Sequence, residues 1–386
     1  MRCNILKTLE RLVIKYILKI IYCLSYIFKI KKRIVFATYR PDYMEGNYKY
    51  ILDEIKKRNL DYECKILYEK PGAGLAGMLK YLKHMCIAEH YLATSEFFIV
   101  DDFYFPVYAV NKLRKGTEVV QVWHACGAFK KFALSTVDEN YSNGNEYIKY
   151  IPIHTNYTHV TVTSKEVAKH YAAAFNMSED NIDPIGVPRT DIFFDEKKKE
   201  EAKEILYKKY PKLKDKKIIL YAPTFRGTGQ SDANSGVAFD VDKVVNALGE
   251  DYVLAIKMHP FVKWRYEKES DKVVDMSDYK SINDILFITD ILITDYSSTV
   301  FEFALLDKPM IFYADDLETY INDRDFYYEY TSFVPGPIVK TTDELVDLIK
   351  EDNYDLEKVR KFKEKFFDYT DGCSSKRFVD KIILKK

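Results

Sequence analysis

The sequence predicts an α/β protein with two Rossmann-like domains, each built on a doubly wound parallel sheet. Short apolar runs of strand length alternate with segments of helical periodicity along most of the chain. The chain has 386 residues, which is enough for two domains with separate cores. The stretch 285–320 shows the pattern most clearly, with an apolar strand, a polar turn, a helix ended by Lys308-Pro309, and another strand.

The first predicted domain covers residues 34–195, and the second covers residues 196–386 with helices that close the chain. In the first, we expect strands at 34–38, 62–68, 97–100, 118–123 and 160–163, and helices at 48–58 and 77–90. In the second, we expect a lysine-rich helix at 196–209, strands at 217–221, 252–257, 291–294 and 310–313, and closing helices at 342–351 and 356–367. Such alternation is typical of a parallel sheet with helices on both faces.

Residues 1–33 form a third predicted region, a cationic amphipathic helix. They carry nine basic side chains and one acid, a net charge of +8, so the rest of this neutral chain carries −8. Lys7, Arg11, Lys15 and Lys19 recur every fourth residue, which places them along one helical face. The segment has no uninterrupted apolar stretch of about 18 residues, which argues against a transmembrane span. It also lacks the apolar core and small-residue cleavage site of a signal peptide. The helix therefore either lies in the interface of an anionic membrane, which we favour, or packs on the protein's own core.

Overall composition excludes several classes of protein. Basic and acidic residues number 59 each, which gives no support for nucleic-acid binding. The six cysteines have no C-x-x-C spacing and no histidine partner at zinc spacing, which indicates reduced thiols rather than disulfides or a structural metal. No Asp/His cluster indicates a catalytic metal, so no cofactor is expected, and a loosely held Mg²⁺ is left open.

The polar turn at 294–299 is a candidate anion site. Asp295, Ser297, Ser298 and Thr299 fall where a helix begins, and unpaired backbone N–H groups with the positive end of the helix dipole favour an anion there. These residue types are also ordinary N-caps, each worth about 1 kcal/mol. Four of them around Tyr296 exceed what one cap requires, which indicates a phosphate site.

Polar residues follow two further strands of the second predicted domain. Arg226 comes after the first strand, and Lys257 and His259 come after the second. Because ligands of such sheets bind beyond the carboxyl ends of the strands, these side chains should converge with the serines. Together they suit a diphosphate, which arginine, lysine and fixed N–H donors recognise. Glu302 lies four residues after Ser298 on the same helical face, where it could accept hydrogen bonds from ribose hydroxyls.

The first predicted domain offers His124 directly after a strand. An imidazole at such a strand end is a natural general base. A histidine after an apolar strand is also often a hydrogen-bonded core residue, and both interpretations remain open from the residues alone.

Seven segments of the chain resemble, in the same order, the CDP-glycerol glycerophosphotransferases, the teichoic acid primases and polymerases. They are QVWHACGAFKK, IGVPRTD, YAPTFRG, IKMHP, DYSSTVFEF, KPMIFYADDLETY and VPGPIV. The resemblance extends from about residue 34 to residue 377. It implies a GT-B-like fold in which the first domain serves the acceptor and the second binds a CDP-alditol donor across a cleft.

The resemblance also implies roles for particular residues. His124 and His259 match the two histidines on which catalysis in the family depends. Residues that match donor contacts of the family are Trp123, Ala125, Cys126, Gly127, Arg189, Pro223, Thr224, Lys257, Met258, Ser297, Ser298 and Glu302. Family members commonly have Gly-Thr-Pro in place of Ala125-Cys126-Gly127 and arginine in place of Lys257. The first departure borders the alditol end of the donor, so glycerol versus ribitol stays open.

The expected reaction transfers glycerol phosphate or a related alditol phosphate to a hydroxyl of a lipid-linked or glycan acceptor, with release of CMP. The donor would be CDP-glycerol or CDP-ribitol, and the process teichoic acid or related cell-wall polymer synthesis. The protein is expected at the cytoplasmic face of the cell membrane as a peripheral protein, and a homo-oligomer is left open. A GT-B glycosyltransferase that uses a nucleotide sugar is the alternative enzyme, and a membrane-bound nucleotide sensor is the non-catalytic alternative.

Overall fold

The computed structural model of the chain describes residues 2–40, 44, 46–136, 150–227, 236–323 and 325–386. The chain divides into two compact units. The first unit comprises Met1–Cys126, Lys131–Asp191 and Asp371–Lys386, and the second comprises Gly127–Lys130 and Ile192–Thr370.

The first unit contains a parallel sheet of six strands in the order β2-β1-β3-β4-β5-β6. The strands are β1 (Lys31–Thr38), β2 (Glu63–Tyr68), β3 (Ser95–Val100), β4 (Glu118–Gln121), β5 (His159–Thr161) and β6 (Ile182–Asp183). Ile34, Phe36 and Phe97 are fully buried, because helices cover both faces of a parallel sheet. The strand order reverses between β1 and β3. Residues that follow these two strands therefore lie at the switch point where such sheets bind ligands.

The α-helices described between residues 2 and 191 of the first unit include the N-terminal one. They are α1 (Arg2–Leu24), α2 (Asn47–Lys57), α3 (Gly74–Thr94), α4 (Phe105–Ala109) and α5 (Lys165–Phe175). Helix α1 packs against α3 and α4, where Leu18 is buried with Met85 and Ala109. In the part of the chain that the structure describes, no helix combines the length and apolarity needed to cross a membrane.

The second unit also contains six parallel strands, in the order β12-β11-β10-β7-β8-β9. They are β7 (Lys217–Tyr221), β8 (Tyr252–Ile256), β9 (Val273–Asp275), β10 (Ile291–Thr294), β11 (Met310–Tyr313) and β12 (Ile338–Val339). The helices are α6 (Glu196–Lys209), α7 (Val241–Ala247), α8 (Ile282–Ile288), α9 (Thr299–Ala304), α10 (Leu317–Asp323), α11 (Tyr330–Phe333), α12 (Thr342–Glu351) and α13 (Leu356–Phe366). The order reverses between β7 and β10, which defines the switch point of this sheet.

The predicted α/β class with two doubly wound parallel sheets is confirmed. The strands that the sequence did not predict, β6, β9 and β12, have only two or three residues each. Runs of that length carry no periodicity that distinguishes them from loops.

The end of the chain departs from the predicted domain boundaries. The predicted second domain includes residues 371–386, whereas α14 (Ser374–Phe378) and the π-helical turn Val379–Ile383 belong to the first unit. The backbone N–H groups of Ser374 and Ser375 donate to the two oxygens of Asp191, each at 2.8 Å. Apolar residues of this segment join the core under β1 and β3, which only the folded packing reveals.

Candidate active site

Asp295 ties together the two loops at the switch point of the second unit. This residue is 2% exposed. Its carboxylate accepts a hydrogen bond from the backbone N–H of Thr224 at 2.8 Å and pairs with Arg226 Nη1 at 2.9 Å. Thr294 Oγ1 also donates to the carbonyl of Ala222 at 2.7 Å. These bonds bring Pro223-Thr224, after β7, to the edge of the sheet where the turn after β10 begins.

Arg226 connects these loops through most of its guanidinium N–H groups. Nε and Nη2 donate to Asp316 at 2.7 and 3.1 Å, and Nη1 donates to the carbonyl of Thr224 at 2.8 Å as well as to Asp295. The guanidinium also lies 5.1 and 5.0 Å from the ring centres of Tyr296 and Tyr320, at cation–π distance. The observed role of Arg226 is to hold the two loops together, and its direct contact with a diphosphate stays a prediction.

Ser297 and Ser298 lie at the start of α9, where the sequence places them. Ser297 Oγ accepts a hydrogen bond from the N–H of Thr299 at 3.2 Å. Ser298 is the N-cap residue but its side chain makes no capping bond. Glu302 lies in the first helical turn and is 5% exposed. Capping therefore accounts for Ser297 but not for Ser298, whose hydroxyl is available to a ligand at this edge of the sheet.

The loop after β8 holds Lys257, Met258 and His259. Lys257 is 8% exposed, and its Nζ donates to the carbonyl of Ser277 at 2.8 Å. Burial lowers the pKa of this amine to about 8. The N–H of Met258 donates to Ser277 Oγ at 3.1 Å, and the N–H of Phe261 donates to His259 Nδ1 at 3.2 Å. The loop is thus fixed through its backbone, and His259 accepts rather than donates through Nδ1.

At the switch point of the first unit, His124 meets residues that follow β1 and β3. His124 Nδ1 lies 3.1 Å from the carbonyl oxygen of Asp101 and 3.4 Å from Asp102 Oδ2. Arg40 Nη1 lies 3.3 Å from the same carboxylate oxygen. Burial lowers the pKa of His124, and the Asp102 carboxylate opposes that shift. Burial also raises the pKa of the Asp101 carboxyl to about 7.

The loop that carries His124 is held by residues distant in sequence. Arg189 Nη1 donates to the carbonyl of His124 at 2.6 Å, and Nη2 lies 3.7 Å from Cys126 Sγ. The N–H of Arg189 donates to Asn47 Oδ1 at 3.0 Å, and Asn47 Nδ2 donates to the carbonyl of Trp123 at 3.1 Å. Arg189 and Cys126, both predicted to contact the donor, therefore support the shape of this loop, and their donor contacts stay predictions.

Trp123 adopts a backbone conformation that is uncommon for a bulky residue. Its φ is 47°, in the left-handed region. The indole stacks on the His124 imidazole, with ring centres 4.4 Å apart and an interplanar angle of 27°. Ala125, the next predicted donor contact, accepts a hydrogen bond on its carbonyl from Tyr171 at 3.3 Å. The left-handed turn directs the Trp123 ring across one face of His124.

Gly127 has a packing reason to be glycine. Its φ is +65°, and a Cβ placed on it would lie 2.2 Å from the Phe301 ring. Phe129 and Lys130, which follow Gly127 closely, also contact residues of the second unit. Phe129 lies against Phe333, with ring centres 4.5 Å apart, and Lys130 Nζ donates to the Tyr320 hydroxyl at 3.2 Å. The predicted donor contact of Gly127 is untested, but its small size is required by Phe301.

Within each unit the structure brings several predicted residues together. Trp123, His124, Ala125, Cys126 and Arg189 share one site in the first unit. Pro223, Thr224 and Arg226 share the β7–β10 edge with Ser297 and Ser298, and Lys257, Met258 and His259 lie on the loop after β8.

The sequence analysis did not identify Arg40, Asp102 and Asp316 as parts of these sites. Ligands of such sheets bind beyond the carboxyl ends of the strands, and this rule, applied to β1 and β3, would have identified Arg40 and Asp102.

The fold and these residues define a GT-B-like α/β transferase. The family model described as CDP-glycerol:poly(glycerophosphate) glycerophosphotransferase matches residues 20–384, and the chain belongs to this family. The predicted resemblance is thereby confirmed, and the nucleotide-sugar glycosyltransferase alternative is not favoured.

Two curated relatives and a solved structure give the scale of the similarity. The chain is 42% identical to the teichoic acid poly(ribitol-phosphate) polymerase of Bacillus spizizenii over 91% of its length, and it spans 56% of that longer protein. It is 40% identical to the teichoic acid ribitol-phosphate primase of the same organism, with 90% of each chain covered. A variant of the wall teichoic acid polymerase TagF has the same fold, with a TM-score of 0.76 at 22% identity over 99% of this chain and 96% of that one.

Proposed function

We propose that this protein transfers an alditol phosphate from a CDP-alditol to a hydroxyl of a lipid-linked or glycan acceptor in teichoic acid synthesis, with release of CMP. Membership of the CDP-glycerol family supports the donor class. Relatives named for ribitol phosphate are 38–42% identical to the chain, and those named for glycerol phosphate are 28–37% identical. This order supports CDP-ribitol as the first donor to test and CDP-glycerol as the second.

The observation that carries the mechanism is that the Nδ1 atoms of the two histidines have opposite partners, a hydrogen-bond acceptor at His124 and a donor at His259. His124 Nδ1 faces the carbonyl of Asp101, an obligate acceptor, so Nδ1 carries the proton in the neutral ring and Nε2 is left as a base. His259 Nδ1 accepts the N–H of Phe261, so its proton lies on Nε2, which is a donor. We assign these tautomers from the hydrogen-bond partners. One histidine therefore suits proton removal, and the other suits hydrogen bonding to phosphate oxygens.

In the proposed step, His124 Nε2 takes the proton of the acceptor hydroxyl as its oxygen bonds to the phosphorus that carries the alditol. The bond from that phosphorus to the bridging oxygen breaks, and CMP leaves with the electron pair. His259 Nε2–H, Ser297 and Ser298 stabilise the negative charge on the diphosphate and on departing CMP. Phosphoryl transfer depends mainly on such positioning and charge stabilisation.

Helix α1 supports a peripheral location at the cytoplasmic face of the cell membrane. Its outward side is apolar: Leu9, Val13, Tyr16, Ile20 and Leu24 are between 53% and 64% exposed. Further exposed apolar residues lie in the first turns of α3, where Leu75 is 73% exposed and Leu79 is 58% exposed. An exposed apolar side flanked by basic residues is the expected form of a helix that lies in an anionic bilayer interface. The same surface would keep the protein beside a lipid-linked acceptor.

The proposal is tested by incubating the full chain with CDP-ribitol, CDP-glycerol and a panel of nucleotide sugars, each with lipid-linked acceptors, and measuring CMP release. We expect CMP release and acceptor extension with a CDP-alditol only. Transfer of a sugar would support the glycosyltransferase alternative. Tight CDP binding without CMP release from any donor and acceptor pair would support the nucleotide sensor.

A further inference from the structure

We propose that Asp102 is a positioning residue that orients His124 and keeps its Nε2 atom unprotonated for the acceptor hydroxyl. The inference rests on the proposed function, in which His124 is the general base. Asp102 lies outside every motif that relates the chain to its family, and it becomes relevant only through the folded arrangement of β1, β3 and β4.

The geometry follows from the sheet register. Strands β3 and β4 pair in parallel with Val100 opposite Gln121, so the residues after both strands leave the sheet side by side. His124 Nδ1 consequently lies within 3.5 Å of two oxygen atoms, the carbonyl of Asp101 at 3.1 Å and Asp102 Oδ2 at 3.4 Å. Both are acceptors, so both favour the proton on Nδ1.

The Asp102 side chain is itself held in place. Its Oδ1 accepts the N–H of Phe103 at 2.7 Å, and its Oδ2 pairs with Arg40 Nη1 at 3.3 Å. Gln121 Nε2 donates to the Asp102 carbonyl at 3.1 Å, while Gln121 Oε1 accepts the N–H of Trp123 at 2.9 Å. Gln121 thus links the backbone that carries the carboxylate to the backbone that carries the imidazole, and the two groups keep a fixed separation.

The carboxylate also acts on the charge that the reaction creates. When the hydroxyl O–H bond breaks and the Nε2–H bond forms, the ring becomes a cation. The groups that act on the ring are the backbone carbonyl of Asp101 and the charged side chains of Asp102, Arg40 and Arg189. Burial and the two guanidinium groups lower the pKa of His124, whereas Asp102 raises it. Asp102 therefore offsets the cost of forming an imidazolium between two arginines.

The test compares Asp102→Asn with Asp61→Asn, an exposed acid of the same unit that lies 3.6 Å from Lys32. An asparagine can turn its amide NH₂ toward His124 Nδ1 and so favour the wrong tautomer. We expect Asp102→Asn to lower kcat about 10-fold to 10³-fold, part of the ~10²–10⁴-fold that general-base catalysis contributes, with the KM for the CDP-alditol little changed. The acid limb of the kcat–pH profile should move to lower pH. Asp61→Asn should match the unsubstituted protein.

A kcat within about threefold of the unsubstituted protein, with an unmoved acid limb, would overturn the role of Asp102 even if His124→Ala is inactive. An active His124→Ala variant would instead contradict the general-base role of His124 within the proposed function, and a lack of CMP release from any CDP-alditol would contradict that function itself, so these failures are distinguishable. Nitrogen-15 NMR of histidine-labelled full-length protein provides a readout that needs no Asp102 variant to fold. The His124 resonances, assigned by their loss in His124→Gln, should show a protonated Nδ1, and a protonated Nε2 in the neutral ring would refute the inference.

Discussion

At the level of single residues, replacing His124 by alanine removes the Nε2 base and leaves the donor-binding groups of the second unit in place. We expect turnover to fall by at least the ~10²–10⁴-fold that general-base catalysis contributes, with CDP affinity changed only a few fold. Stopped CMP-release assays and calorimetry with CDP measure the two quantities separately. If the variant keeps more than about a tenth of normal turnover, His124 is not the base.

Substitution of Arg226 tests whether its side chain binds the donor directly or positions the loops of the site. Its substitution by alanine would leave the buried carboxylate of Asp295 without its cation and would release Asp316. Because charge-assisted hydrogen bonds contribute about 1.5–3 kcal/mol, we expect Arg226→Ala to lower both the thermal midpoint and CDP affinity. Differential scanning calorimetry and CDP titration measure both effects.

Asp316→Asn is the matched control for that prediction. It keeps the Arg226 side chain but weakens its bidentate partner, which accepts at 2.7 and 3.1 Å. A positioning role predicts losses in the same direction for both variants, smaller for Asp316→Asn. If Arg226→Ala weakens CDP binding without affecting stability and Asp316→Asn has no effect, Arg226 acts directly on the diphosphate.

The site residues that could be predicted from the sequence are those that directly follow a strand in the chain. His124, His259 and Ser297 each follow a strand, and the strand-end rule identifies them without knowledge of the strand order. The contacts of Asp102 with His124 and with Arg40 depend on β1, β3 and β4 being neighbours. Periodicity does not encode that order, because many strand orders share one pattern of alternating elements.

At the level of elements, the C-terminal segment is attached to the first unit by a charge network centred on His159. His159 Nδ1 lies 2.7 Å from Asp183 Oδ2, and Nε2 lies 3.6 Å from Glu118 Oε2. Lys381 and Lys385 of the C-terminal segment pair with the same two carboxylates. The network thus connects the last residues of the chain to β4, β5 and β6.

This network predicts a pH dependence of stability. The hydrogen bond to Asp183 and the nearby carboxylate of Glu118 raise the pKa of His159 to about 9, above its ordinary value of about 6.5. A raised folded-state pKa stabilises the protein fully below the unfolded-state value, and the effect is lost as pH rises through 9. His159→Gln should therefore lower the thermal midpoint most at about pH 6 and least at about pH 10. A difference from the unsubstituted protein that is constant across this range would show that the imidazolium contributes nothing.

The same segment shows a limit of sequence interpretation. The amphipathic spacing of residues 374–383 indicates which side of the helix is apolar, but not which of two similar cores it joins. Two contacts hold the segment on the first unit. Asp191 accepts a hydrogen bond from the N–H of Ser374, and the carbonyl of Ile185 accepts one from Arg377 Nε at 2.8 Å. Such contacts between residues almost 200 positions apart have no local signature, and so the predicted boundary at the chain end differs from the structure.

At the level of the whole molecule, the charge is distributed unevenly along the chain, and the N-terminal segment that contains α1 is strongly basic. Residues 1–33 carry +8 in a chain of zero net charge. Leu18 and Tyr22 are 0% and 3% exposed, so the helix also contributes to the core of the first unit. Deleting residues 1–33 would uncover that core and remove the first residues of β1. Substitutions on the outward side therefore test membrane binding more cleanly than a truncation.

The outward side of α1 allows its apolar and basic contributions to be measured separately. A variant with glutamine at Leu9, Val13, Ile20 and Leu24 should keep its thermal midpoint, since each of these residues is at least 53% exposed, but should no longer sediment with vesicles. Arg11→Gln with Lys19→Gln should weaken binding to phosphatidylglycerol vesicles by about 2 kcal/mol, roughly 30-fold, because each basic residue near an anionic surface contributes about 1 kcal/mol. Lys15 is left unchanged, because its Nζ donates to the carbonyl of Tyr150 at 2.8 Å.

Co-sedimentation with phosphatidylglycerol and phosphatidylcholine vesicles at low and high salt decides between the two origins of binding. The apolar variant should lose binding to both lipids, whereas the basic variant should show a smaller preference for anionic lipid and a weaker salt dependence, with unchanged binding to phosphatidylcholine. Ile205→Gln, at a residue of α6 that is 57% exposed, controls for the removal of an exposed apolar side chain elsewhere. If the apolar variant of α1 sediments as the unsubstituted protein does, another surface holds the protein on the membrane, and the outward side of α1 requires a different partner.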